Sequence, residues 1–95
     1  MPLEILAKMY EPANEQKYAI GQFNINNMEF TQSALEAAQE KNSPIILAAS
    51  TSAIKYMGMP YLMAMVRAGA ETVDVPVALH LDHGATFNDA KMCVD

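Results

Sequence analysis

The chain has 95 residues, of which 52% are apolar and 18% charged, and 6 Lys+Arg against 11 Asp+Glu give a net charge of −5. This is globular composition, which excludes a disordered chain, and the length allows one domain with a modest core. The acidic balance argues against nucleic-acid or anionic-membrane partners, since both need basic surface.

Residues 3–9 predict one short helix, broken by Pro12 and Asn14. Tyr18–Ile25 is an apolar run of strand length, and Gly21 within it suggests the close approach of another backbone or a packed ligand. Asn26, with Glu29 three residues on, has the spacing of a helix-capping box. The helix that follows would bury Phe30, Ala34, Leu35, Ala37 and Ala38 and stop at Asn42 and Pro44. Pro44–Ser50 carries no charge and reads as a strand covered on both faces, as in parallel sheets.

Pro60 opens a second helix, with Leu62, Met65, Val66 and Gly69 on one stripe. Val75–Gly84 reads as a third strand, and Thr86 with Asp89 as the start of a third helix that holds Cys93 on one of its faces. Helix and strand therefore alternate. That is the signature of parallel βα units joined by right-handed crossovers, an α/β fold.

Cys93, the one cysteine, cannot form an internal disulfide. No apolar stretch near the N-terminus has signal-peptide length. Met57–Val66, the most apolar stretch, is interrupted by Gly58 and Pro60 and falls far short of the ~20 residues needed to span a bilayer. A cytoplasmic protein is the expectation.

Polar residues recur at the predicted strand ends: Asn24, Ser50, and His80, Asp82 and His83. Sites in α/β sheets and βα barrels gather at that edge. His80 and Asp82 share one face of an extended strand, whereas His83 would point the other way unless the strand ends there, with Gly84 free to turn. Imidazole suits zinc, and a neighbouring carboxylate can orient a ligand or move a proton. The short pattern equally fits a hydrogen-bonded strand terminus, because a zinc site wants three or four protein ligands. Asn24 and Ser50, taken singly, fit turn and cap roles at least as well.

Met57, Met59, Met63 and Met65 read as adaptable packing, and Tyr56 and Tyr61 as half-buried packing. Neither a P-loop nor a dinucleotide-binding glycine motif is present, since all four glycines are isolated.

Taken together, Gly21–Gln32 (GQFNINNMEFTQ), Ser43–Ser50 (SPIILAAS), Tyr56–Gly58 (YMG) and Val75–Gly84 (VPVALHLDHG) resemble the opening third of class II, zinc-dependent fructose-bisphosphate aldolases. The related tagatose-bisphosphate aldolases share this layout. The resemblance implies residues 1–95 as the N-terminal portion of one (β/α)₈ TIM barrel, with about three of its eight strands and the remainder absent. It also implies a phosphorylated sugar as substrate and a homo-oligomeric assembly. By the same resemblance His83 would bind zinc, and Asp82 would be catalytic, exchanging a proton with the sugar's C4 hydroxyl. Ser50 and Asn24 would contact substrate, and His80 would support the metal site.

The residue types suit that chemistry. Retro-aldol cleavage needs a base and an electron sink, whereas a Schiff-base route needs a lysine. All five lysines fall in predicted helices or loops. With one inherited histidine ligand and no phosphate loop, the 95-residue chain alone is expected to be inactive. Two other readings stay open: a non-catalytic βα module that self-associates, and a small open α/β binding domain.

Overall fold

A computed structural model describes residues 2–94. The elements run α1 (Leu6–Gln16), β1 (Gly21–Asn24), α2 (Met28–Glu40), β2 (Ile45–Ser50), α3 (Thr51–Met57), α4 (Met59–Glu71), β3 (Val77–Asp82) and α5 (Phe87–Val94). The strands form a parallel sheet in the order β1-β2-β3. This is the expected alternation, a three-stranded portion of a βα architecture.

Side chains alternate across a strand, so the register sorts the sheet into two faces. Ile45, Leu47, Ala49 and Val77 turn to one face and join Leu35 of α2 with Leu62 and Val66 of α4 in the main core. Ile46 and Ala78 turn to the other, where Met9 of α1 packs on them. Residues 45–49 of β2 are all buried, as a doubly covered parallel strand requires.

α1 differs from expectation: it continues through Pro12 to Gln16. Proline removes one hydrogen-bond donor, a local cost. That loss is outweighed because Met9 and Ala13, on either side of it, are both buried. The helix ends at Lys17 in the left-handed region, where the Tyr18 amide bonds the Ala13 carbonyl.

β1 is shorter than the run Tyr18–Ile25 predicts, although Ile25 is fully buried and its amide bonds the Ala48 carbonyl. The close approach at Gly21 comes from a side chain of the same strand. A Cβ there would strike the ring of Phe23, its neighbour two residues along the same face.

The cap of α2 is Asn27 rather than Asn26; its side chain accepts from the Phe30 amide at 2.8 Å. Phe30 and Ala37 face solvent, and Thr31 is buried with Leu35 and Ala38, because the Thr31–Leu35 side is the one that meets Gly69 of α4.

α3 is an element the sequence reading left out. It is entered through Ser50, whose Oγ accepts from the Ala53 amide, and Gly58 at φ 88 joins it to α4. Tyr56 and Tyr61, on either side of this joint, are 79% and 76% exposed and not half-buried. Met57, Met59 and Met65 do pack on the core.

The sheet has two open edges. The Ile45 amide bonds the Pro76 carbonyl, so the Val77 carbonyl points away from β2. The Glu4 amide takes that outward carbonyl at 2.8 Å, closing the first position of the β3 edge. No helix among the described residues is long and apolar enough to cross a membrane.

Candidate active site

The parallel register carries the strand-end polar groups to one end of the sheet. Ser50 and Asp82 are direct register partners, their backbones about 4.8 Å apart across adjacent strands. Asn24, Ala48 and His80 form the next row down, two residues nearer the strand N-termini. All these positions except Ala48 carry polar side chains, and all lie on the face that α1 covers farther down at Ile46 and Ala78. Apolar packing fills the bottom of that face and polar chemistry its top.

Ser50 is the N-cap of α3. Its Oγ accepts the Ala53 amide at 3.1 Å, as a cap does. A hydroxyl also carries a donor, which the cap does not consume.

β3 ends at Asp82, and the chain then turns at His83, whose φ is 56. Gly84, expected to supply this turn, does not take a positive φ; the histidine itself does. The turn brings His83 Nε2 to 3.8 Å from Asp82 Oδ2, with the imidazole 83% exposed and the carboxylate side chain 25%. His83 is thus an exposed imidazole held beside a half-buried carboxylate.

Beyond the turn, Asp89 Oδ2 accepts from the Ala85 and Thr86 amides, and Thr86 Oγ1 accepts from the Asp89 amide. This reciprocal cap starts α5 where the Thr86–Asp89 spacing predicts it.

The donor set can be tested against a metal. Among the described residues, no three His, Cys, Asp or Glu side chains gather so as to hold an ion. A tetrahedral zinc site takes three or four protein ligands. His83 offers one, with Asp82 beside it, so these residues alone do not make a zinc site.

Residues 4–95 match the sequence model of fructose-bisphosphate aldolase class-II. The chain belongs to the class II fructose-bisphosphate aldolase family.

It is 48% identical over 97 residues to the probable fructose-bisphosphate aldolase of Bacillus subtilis (strain 168), covering 99% of this chain and 34% of that protein. Against the fructose-bisphosphate aldolase of Staphylococcus aureus (strain Mu50 / ATCC 700699) the identity is 45% over 98 residues, covering 100% and 34%. Among solved structures, the YdjI aldolase from Escherichia coli K12 superposes with a TM-score of 0.87 at 27% identity, over 97% of this chain and 36% of that one. A putative fructose-1,6-biphosphate aldolase from Coccidioides immitis gives 0.80 at 26% identity, over 88% and 31%. The chain therefore spans about a third of the length of the curated relatives it matches.

Proposed function

We propose that this chain supplies the first three βα units of a class II aldolase barrel, and that the complete barrel reversibly cleaves fructose 1,6-bisphosphate into dihydroxyacetone phosphate and glyceraldehyde 3-phosphate. The observation that carries this reading is the Ser50–Asp82–His83 grouping at one sheet end in a chain of this family.

In this mechanism the Asp82 carboxylate accepts the C4 hydroxyl proton of the open-chain ketose. The C4 oxygen then forms the aldehyde, the C3–C4 bond breaks, and its electron pair passes into the enediolate of the departing triose. Asp82 suits the base role because it is half-buried on the polar row and not tied up in a structural hydrogen bond among those described. The Ser50 hydroxyl donates to the triose portion of the substrate, and Asn24 contacts it from the row below. His83 is one ligand of a zinc site that the rest of the barrel completes, with His80 supporting it. Zinc bound there would supply a Lewis acid for the ketone oxygen.

The remaining assignments follow from the same reading: cytoplasmic location, a homo-oligomeric enzyme, and a 95-residue chain inactive by itself. The test is a chimera in which this chain replaces the matching third of the Bacillus subtilis relative. Zinc-dependent cleavage of fructose 1,6-bisphosphate by the chimera supports the reading. A folded, zinc-loaded chimera without cleavage overturns it, and cleavage of tagatose 1,6-bisphosphate instead reassigns the substrate.

A further inference from the structure

His83 is held in a left-handed backbone conformation, yet its side chain is almost wholly exposed. A non-glycine residue stays in that region only when its surroundings over-determine it. Packing of the imidazole cannot do so, because the imidazole is not packed. The restraint has to come from the backbone on either side.

On the downstream side, the Asp89 carboxylate takes the Ala85 and Thr86 amides and fixes the entry to α5. On the other side the chain lies directly on Leu81. A Cβ placed on Gly84 would sit 2.8 Å from Leu81 Cδ2 and 3.4 Å from Leu81 Cγ. Leu81 is partly buried and packs against the main core, which restricts its swing. Gly84 is therefore needed for its lack of a side chain and not for a special φ.

We propose that Gly84 seated on Leu81 is the positioning device for the Asp82–His83 pair: the close contact forces the chain over to the helix side at His83 and so turns the imidazole back beside Asp82. The device rests on the aldolase reading for what the pair does, but its geometry stands apart from that reading. Leu81 turns to the core face and Asp82 to the opposite face of the same strand end, so one strand terminus links core packing to site geometry.

The test uses size exchange in the isotopically labelled 95-residue chain, read by NMR. In the wild type, His83 should show the Cα shift and coupling of a left-handed residue, with a nuclear Overhauser effect between the Gly84 Hα protons and the Leu81 methyls. Gly84→Ala should abolish the left-handed signature of His83 while Ala48 and His80 amide shifts stay in place. Adding Leu81→Ala makes room for the new methyl and should restore the signature. If Gly84→Ala does not fold, Leu81→Ala alone removes the seat and should release His83. A left-handed His83 that persists in Gly84→Ala or in Leu81→Ala, or a double variant without rescue, overturns the proposal.

In the chimera, Gly84→Ala should lower kcat by about tenfold to a hundredfold with little change in KM, and the Gly84→Ala/Leu81→Ala double variant, whose new methyl takes the place of the lost leucine contact, should recover most of it. A folded, zinc-loaded wild-type chimera without activity would sink the aldolase reading and leave the NMR result to decide this one.

Discussion

Ser50 and Asp82 face each other in register across the carboxyl ends of β2 and β3, one hydroxyl beside one carboxylate on adjacent parallel strands. They are 32 positions apart in the chain, and only parallel pairing of the two strands makes them neighbours. A hydrogen-bond donor thus stands next to an acceptor, above an apolar floor of Ile46 and Ala78.

In the chimeric barrel, Asp82→Ala should reduce turnover by about 10²–10⁴-fold, the usual range for a positioned acid/base, while bound zinc is kept. His83→Ala should lose zinc and turnover together. Coupled assay of triose formation beside metal analysis of the same samples separates the two. Equal zinc loss in both variants would mean that Asp82 is itself a ligand.

The 95-residue chain alone should bind zinc weakly, because His83 and Asp82 do not close a tetrahedral set. Calorimetric titration in a non-chelating buffer reads this directly. A tight one-to-one site would show that a second chain, or an arrangement other than the one described, completes the coordination.

The cap of α2 is open to a clean measurement. Asn27→Ala removes the acceptor for the Phe30 amide and should cost about 1 kcal/mol in urea unfolding. Asn26→Ala, one residue away, should cost much less. The reverse order would restore the sequence-based placement of the cap.

Leu47 is fully buried at the centre of the sheet. Leu47→Ala should cost about 2–5 kcal/mol, the range for a buried leucine whose cavity does not collapse. In a chain of this size that loss should be visible as a large drop in the urea midpoint, or as failure to fold.

Although Cys93 is exposed, partial desolvation and after it the Asp89 carboxylate push its thiol up. A raised thiol pKa leaves less thiolate, the reactive form, at pH 8. Iodoacetamide should therefore modify Cys93 more slowly in the folded chain than in urea, with the gap closing as pH rises through the folded value. Mass spectrometry against time gives both rates, and equal rates at pH 8 would contradict the shift.

The alternation of helix and strand, the parallel pairing and the polar strand ends were all legible in the sequence, because apolar periodicity and strand-end chemistry are local signals. Uncharged β2 announced its double burial, and Thr86 with Asp89 announced α5. Other features were decided only by tertiary structure. α1 runs through Pro12 because packing of Met9 and Ala13 outweighs one missing hydrogen bond. Phe30 faces solvent because α2 presents Thr31 and Leu35, not Phe30, to Gly69 of α4. The partnership of Ser50 with Asp82 depends on a register that joins distant segments. The left-handed turn was legible as a need and was assigned to Gly84; close packing on Leu81 puts it on His83, since contact between residues of a folded chain, and not the intrinsic freedom of either one, chooses where a backbone bends.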